Sequence, residues 1–134
     1  MIKNLMIPSD GSHHSQKAVE FGIEFASKIG ADIIAVYVLD ESATYTYDCL
    51  EDEGNEILHN ITKKAGEKGV KVVEHLITGD PLRDMKAIAI KTNADGIIIN
   101  AHGRDESDRG IIGNVADRVI KTFEIPVVLL KNDF

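Results

Sequence analysis

The amino-acid sequence predicts an α/β fold, an open parallel sheet of five strands with helices covering both of its faces. Two observations lead to this prediction. Short apolar runs occur five times along the chain, without the polar and apolar alternation of a strand that has one solvated face. Between them lie segments whose apolar residues recur at helical spacing. Strands that alternate with helices are joined by right-handed crossovers and therefore form a parallel sheet.

The first elements are two strands with a helix between them. Residues 2–7 form an apolar run, and the turn residues 8–12 end it. Helical spacing begins at residue 12 or 13 and continues to residue 29, after which Gly30 supplies a stop. Residues 33–39 are continuously apolar, which is typical of a central parallel strand. The helix is expected to bury Ala18, Val19, Phe21, Gly22, Phe25, Ala26 and Ile29.

The middle of the chain contains a weak segment, a helix and a strand. Residues 40–49 are polar and irregular and yield no prediction. A helix over residues 50–68 follows, ended by Gly69, and residues 70–77 form the third strand. The apolar side of this helix is expected to contain Ile57, Leu58, Ile61 and Ala65.

The third helix has the clearest start signal in the sequence. Asp80 can cap its first turn, Pro81 suits the first helical position, and the pattern continues to Thr92. Its inward-facing residues are expected to be Leu82, Met85, Ile88 and Ala89.

The last part of the chain reads strand, glycine loop, helix and final strand. Asp95 opens a strand over residues 96–99, and a helix begins near Val115 with Val115, Val119 and Phe123 at helical spacing. The loop between them contains Gly103, Gly110 and Gly113. Such a loop before a helix start can hold an anion on unpaired N–H groups, although its glycines could equally serve only to make turns. Pro126 precedes the final run, residues 127–130.

Length and composition limit the classes of function. A chain of 134 residues predicts one domain, and 43% hydrophobic residues with no membrane-length apolar run predict a soluble protein. The formal charge of −7 disfavours a general nucleic-acid or acidic-membrane binder. The single cysteine, Cys49, excludes an internal disulfide. The N-terminus has too short an apolar run for a signal peptide, so we expect the cytoplasm.

Few residues could carry catalysis or bind a metal. His13 and His14 are adjacent and therefore point in different directions, which disfavours a shared metal. His102 has no nucleophile paired with it in the sequence, and neither a Walker lysine nor a Ser-His-Asp signature occurs. We therefore predict no catalytic residue and no metal site.

The stretch over residues 95–118 resembles the nucleotide-binding signature of the universal stress protein family: Gly, two residues, Gly, nine residues, Gly, then Ser or Thr. Gly103 and Gly113 match the second and third glycines, while Asn100 replaces the first and Asn114 replaces the Ser or Thr. The resemblance covers essentially the whole chain. It implies a Rossmann-like sheet of the adenine nucleotide alpha hydrolase-like type, with strand order 3-2-1-4-5.

In such a sheet the winding reverses between the first and fourth strands, so a ligand is expected at their C-terminal ends. The resemblance implies an adenosine pocket lined by Pro8, Ser9, Asp10 and Val38, and a phosphate cradle of Gly103, Gly113, Asn114 and Val115. Asn100, His102 and Arg104 complete the predicted nucleotide-binding residues. Asp10 could accept hydrogen bonds from ribose or adenine, or serve only to cap the helix.

The departures from the signature bear on which nucleotide binds. Asn100 either obstructs a phosphate or hydrogen-bonds the ribose, and the sequence leaves both open. Asn114 keeps the ability to cap the helix and has an amide donor. From Arg104 to Arg109 the loop has three acidic residues against two arginines, a net charge of −1 that disfavours a triphosphate. The expected ligand is an adenine nucleotide, AMP or ADP rather than ATP, with Mg²⁺ as an optional companion.

The last apolar run, Val127, Val128, Leu129 and Leu130, falls at the sheet edge in the implied order. An open apolar edge invites another chain, and the resemblance implies dimers through this strand. We expect a homodimer with antiparallel pairing near Val128. Three functions follow: a nucleotide-binding stress-signalling protein, a dimeric interaction protein without nucleotide, and a slow nucleotide hydrolase or transferase that no residue actively supports.

Overall fold

The computed structural model describes residues 1–40, 47–101 and 113–131. Its strands are β1 (Asn4–Pro8), β2 (Asp32–Asp40), β3 (Val72–Gly79), β4 (Gly96–Asn100) and β5 (Val127–Leu130). Its helices are α1 (His13–Ile29), α2 (Tyr47–Glu67), α3 (Pro81–Lys91) and α4 (Asn114–Thr122). In the described ranges, no helix is both long and apolar enough to cross a membrane.

The five strands form one parallel sheet in the order β3-β2-β1-β4-β5. This confirms the predicted fold class and strand order. Leu5 of β1 is paired with Ile33 of β2 on one side and with Gly96 of β4 on the other. The chain adds β2 and β3 on one side of β1 first and β4 and β5 on the other side afterwards, so the direction of winding reverses between β1 and β4.

Each face of the sheet carries its own hydrophobic core. One core includes Leu5 and Ile33 together with residues of α1 and α2, and the other includes Met6 and Ile97 together with residues of α3 and α4. Successive residues of a strand point to opposite faces, so a strand with a core on both sides must be apolar at every position. This explains the uninterrupted apolar runs of the sequence.

Helix α1 packs on β1 through a glycine. A side chain at Gly22 would place its Cβ 2.4 Å from Cδ1 of Ile7, a distance that real Cβ atoms do not reach. Gly22 therefore permits the close approach of the helix to the strand.

The start of β1 is held by an acidic residue that precedes β4. The Asp95 carboxylate accepts hydrogen bonds from the backbone N–H of Lys3, at 3.0 Å, and of Asn4, at 2.8 Å. The Asp95 N–H in turn donates to the Asn4 carbonyl at 3.0 Å. These bonds join the two strands between which the winding reverses, and β1 extends from Asn4 to Pro8 rather than over residues 2–7.

Most of the predicted helix signals are confirmed. Gly30 ends α1 in the left-handed conformation, with φ of 72°. The Asp80 side chain accepts from the Leu82 N–H at 2.8 Å, and Pro81 occupies the first position of α3. Helix α2 begins at Tyr47, three residues before the predicted start at 50.

Three predictions about the helices are wrong. Phe21 is 43% exposed on α1, and Leu82, in the first turn of α3, is 38% exposed, so neither is buried in the core as predicted. Phe21 instead stacks on Phe25, with ring centroids 6.0 Å apart. Gly113, not Asn114, is the N-cap of α4, so Asn114 is already the first helical residue.

Replacing Gly30 with alanine is expected to lower the free energy of unfolding by about 1 kcal/mol, because φ near +72° strains any residue with a Cβ. No atom lies within 4 Å of the added Cβ, so the loss would be one of backbone conformation alone. The matched control is Gly66→Ala in α2, where space is also open; it should stabilise by about 0.5–1 kcal/mol. Urea denaturation measures the free energy of unfolding of both variants. If both substitutions stabilised or both destabilised the protein, backbone strain at Gly30 would not be the cause.

Candidate functional site

A cavity of about 130 Å³ lies at the C-terminal ends of β1, β2 and β4. A water molecule needs roughly 10–15 Å³ of such volume, so the cavity is large enough for a ring-sized organic group. Its lining residues are Pro8, Ser9, Asp10, Ser15, Val36, Val38, Pro81, Met85, Ile99, Asn100, Ala101, Gly113, Val115 and Ala116.

The structure brings together most of the residues that the sequence singles out. Asp10 and Gly113, which are about a hundred residues apart in the chain, line the same cavity. The other predicted residues that line it are Pro8, Ser9, Val38, Asn100 and Val115. Asn114 is exposed at the start of α4 and does not line it, while His102, Gly103 and Arg104 lie outside the described residues.

One wall of the cavity is made of two buried serines whose hydroxyl hydrogens can be assigned. Ser15 Oγ donates to the Ser12 carbonyl at 2.9 Å and lies 3.1 Å from Ser9 Oγ. A hydroxyl has one hydrogen, so Ser9 must be the donor to Ser15, while Ser9 accepts from the Gly11 N–H at 3.2 Å. Both hydroxyl hydrogens are therefore used within the protein, and the two serines can only accept hydrogen bonds from a ligand.

Asp10 extends this acceptor-rich wall. One oxygen of its carboxylate accepts from the Ser12 N–H at 2.8 Å, so the side chain caps the turn before α1. Asp10 also lines the cavity. The two roles considered for Asp10, capping and ligand contact, are thus compatible, because a carboxylate accepts about four hydrogen bonds.

The opposite wall is apolar. It is formed by Val36 and Val38 of β2, Ile99 of β4 and Met85 of α3, which belong to or pack against the core between the sheet and α3 and α4. The sequence analysis placed Met85 in the core but missed it as a lining residue. Its position near the start of α3 is the signal that could have indicated this, since helix starts lie at the same edge as strand ends in a parallel sheet.

The start of α3, which supplies Met85, is fixed by an ionised carboxylate. Asp84 accepts from the Arg83 guanidinium at 2.8 Å and from the Asp80 N–H at 2.9 Å. These two hydrogen bonds lower the pKa of Asp84 from 3.8 to about 2. The carboxylate therefore remains charged throughout the range in which proteins function.

The N-terminus of α4 closes the cavity at its third side. The Gly113 N–H donates to the Ala101 carbonyl at 2.6 Å, which fixes the chain where it enters the helix. The first turn of a helix leaves N–H groups without partners inside the helix, and here Val115 and Ala116 of that turn also line the cavity. The helix dipole favours an anion there, although Asp117 in the same turn adds a negative charge that Lys121 pairs at 3.0 Å.

Asn100 differs from the other polar lining residues in the hydrogen bonding of its side chain. Both of its side-chain polar atoms, Nδ2 and Oδ1, are shielded from solvent, and neither has a hydrogen-bond partner in the described part of the chain. A buried polar atom without a partner costs about 1–3 kcal/mol. Since Asn100 lines the cavity, a ligand with a donor and an acceptor could remove this cost.

The described residues contain no group of three or more His, Cys, Asp or Glu that could hold a metal ion. The cavity instead combines an apolar wall, an acceptor-rich wall and a helix N-terminus at the winding reversal of a parallel sheet. This combination defines an α/β protein with a cavity at the position where such sheets bind small ligands.

The universal stress protein family model matches residues 1–131, and the chain belongs to this family. A universal stress protein of Methanocaldococcus jannaschii is 33% identical over 98% of this chain and 83% of its own length. A solved structure of a second family member from that organism has a TM-score of 0.90 and 25% identity, covering 100% of this chain and 99% of the other.

A third similar structure is the universal stress protein of Archaeoglobus fulgidus in complex with dAMP. Its TM-score is 0.74 at 23% identity, with 96% of this chain and 97% of that chain covered. At this identity the comparison shows a likeness of fold.

Replacing Asn100 with leucine is expected to raise the free energy of unfolding of the ligand-free protein by about 1 kcal/mol or more, because an apolar side chain of similar length removes two buried polar atoms that have no partner among the described residues. Asn60→Leu, on the exposed surface of α2, is the matched control and should change stability by less than about 0.5 kcal/mol. Urea denaturation measures both. A loss above about 1 kcal/mol for Asn100→Leu would mean that the amide has a partner in the folded protein.

Proposed function

We propose that the protein is a cytoplasmic stress-response module that binds an adenine nucleotide and that associates as a dimer. The single observation that carries the nucleotide proposal is the cavity itself, in which an apolar wall, an acceptor-rich wall and a helix N-terminus meet. These three surfaces match, in order, a purine base, a sugar and a phosphate. The complex of the Archaeoglobus fulgidus relative with dAMP adds support for this class of ligand.

The proposed arrangement assigns each part of the nucleotide to one surface. The base lies against Val36, Val38 and Met85, where a flat aromatic ring gains from the burial of apolar surface. The sugar hydroxyls donate to Asp10, a carboxylate that lines the cavity at the end of β1. The phosphate meets the N–H groups at the start of α4.

A nucleotide with a short phosphate chain suits this arrangement best. Asp117 lies in the first turn of α4, where it reduces the attraction of the helix N-terminus for additional negative charge. The chain as a whole has a formal charge of −7, so further phosphates gain no general attraction. We therefore propose that AMP and ADP bind more tightly than ATP, with or without Mg²⁺.

A second candidate function is that of a dimeric interaction protein without a nucleotide. One observation favours it: the Asn100 side chain lies at the cavity, where a residue without a side chain would leave more room for a ligand. In this alternative the cavity is a remnant, and dimerisation alone carries the function.

A thermal-shift series with AMP, ADP and ATP, each with and without Mg²⁺, tests the nucleotide proposal. A ligand at 100 times its Kd stabilises the folded state by roughly 2.7 kcal/mol, which is a shift of several degrees. We expect the largest shift with AMP or ADP. No shift with any of the three nucleotides would support the alternative instead.

Asp10→Asn is expected to weaken AMP binding about tenfold or more, since it removes the charge from an acceptor of sugar hydroxyls. The amide oxygen can still accept from the Ser12 N–H, so the turn before α1 is kept. Asp32→Asn makes the same chemical change at the exposed opposite end of the sheet and should leave binding unaltered. Isothermal titration calorimetry measures both variants; equal effects would exclude Asp10 from the site.

The proposed dimer follows from the outer edge of the sheet. The Ile97 N–H donates to the Pro126 carbonyl and the Ala101 N–H to the Leu130 carbonyl, so even-numbered residues of this segment bond to β4. The backbone groups of Val127 and Leu129 consequently point outward, since alternate residues of a strand bond to opposite sides. An antiparallel pairing centred on Val128 would set Val127 of one chain opposite Leu129 of the other.

Analytical ultracentrifugation at micromolar concentration is expected to give twice the 14.7 kDa chain mass. Leu129→Pro removes an outward N–H without touching the bonds to β4 and should yield a monomer. The control is Ile90→Lys, which removes an apolar residue that is 68% exposed on α3 and should leave the dimer intact. A dimer that survives the first change and is lost with the second would place the interface on the helices.

A further inference from the structure

Three side chains form a polar patch on one face of the cavity: Ser9, Ser15 and Asn100. The first two present only lone pairs, because both of their hydroxyl hydrogens are committed. The Asn100 amide supplies the patch with a donor, Nδ2, and with a further acceptor, Oδ1, both buried and unpaired among the described residues. The patch therefore has more acceptors than donors.

The strand register places these side chains on the same face of the sheet. Met6 of β1 is paired with Ile97 of β4, and three residues further along the chain from each lie Ser9, which directly follows β1, and Asn100, which ends β4. Asn100 has the parity of Ile98, and Ser9 has the parity of Ile7, both of which lie in the core beneath α1 and α2. The apolar wall belongs to the opposite face, so the two surfaces meet different parts of one ligand.

We propose that Asn100 is the specificity-determining residue of the site, and that its amide binds a hydroxyl of the ligand's sugar. This inference rests on the proposed nucleotide-binding function and adds to it the part of the ligand, a sugar hydroxyl, that Asn100 recognises. A hydroxyl both donates and accepts, so it can donate to Oδ1 of Asn100 or accept from Nδ2.

The other parts of a nucleotide suit the patch less well. An ionised phosphate oxygen only accepts, so it would satisfy Nδ2 but would leave Oδ1 unpaired and would face the lone pairs of Ser9 and Ser15. A purine has a large apolar area, which the wall of Val36 and Val38 on the other face accommodates. The sugar is the part that remains for Asn100.

The absence of a partner for the Asn100 amide among the described residues favours a hydrogen-bonding role over one in which the side chain only obstructs the cavity. A residue that only fills space gains nothing from two polar atoms, which cost free energy when buried without partners. An amide that is buried at a cavity wall with no partner among the described residues gains hydrogen bonds when a polar ligand group reaches it.

The test measures hydroxyl selectivity in two backgrounds. Isothermal titration calorimetry compares adenosine, 2′-deoxyadenosine and 3′-deoxyadenosine on the wild-type protein and on Asn100→Ala. In the wild type, loss of the hydroxyl that Asn100 contacts should weaken binding about tenfold or more, because it leaves the amide unpaired again. In Asn100→Ala the same loss should change the affinity by less than about threefold.

Two controls keep the result specific. Asn60→Ala, on the exposed part of α2, should reproduce the selectivity of the wild type. Asn100→Leu repeats the comparison with the side-chain volume kept, and circular dichroism checks that each variant is folded.

The outcomes distinguish this inference from the proposed function. Two results would overturn the role of Asn100 and leave nucleotide binding standing. In the first, the wild type binds adenosine no more tightly than either deoxynucleoside. In the second, removal of the hydroxyl weakens binding equally in the wild type and in Asn100→Ala. If none of the nucleosides and nucleotides binds the wild type, both fail together. A penalty present in the wild type and in Asn60→Ala, and absent in both Asn100 variants, supports the inference.

Discussion

The reversal of winding at β1 is the constraint on which the rest of the molecule depends. Because β1 has β2 on one side and β4 on the other, the helices that follow β1 and β4 pack on opposite faces of the sheet, which leaves a gap at the C-terminal ends of the two strands. The hydrogen bonds of Asp95 to the start of β1 hold the two central strands together at the far end of this gap. The cavity is thus a consequence of chain topology, and individual side chains determine only what it can bind.

Much of the fold was predictable because its signals are local. Val127–Leu130 was predicted to the residue, since Pro126 delimits it on one side, and Gly30 and Asp80 act within their own turns. The errors arise where the answer depends on neighbours. Helical spacing alone could not show that Phe21 is partly exposed, because the apolar stripe is wider than the sheet surface that it meets.

The candidate site was predictable in part, for the same physical reason. Asp10 and Gly113 could be expected to meet because the C-terminal ends of adjacent parallel strands share one edge. Ser15 could not, because its place at the cavity depends on how α1 docks, whereas the position of Met85 near the start of α3 was a signal that the sequence analysis did not use. The two possible roles of Asn100 were equal in the sequence, and the burial of its amide without a partner among the described residues is what the structure adds. Membership of the universal stress protein family accounts for the architecture, whereas Asn100 departs from the glycine of the signature that the sequence resembles.

The contact between Gly22 and Ile7 has a consequence that reaches beyond packing. A larger residue at that position would require a shift of the Ile7 side chain or of α1. Ser15 belongs to this helix, while Ser9 directly follows β1, so the 3.1 Å distance between their hydroxyl oxygens depends on how α1 packs on β1. The polarity of one cavity wall is therefore coupled to a packing contact between two residues that do not line the cavity.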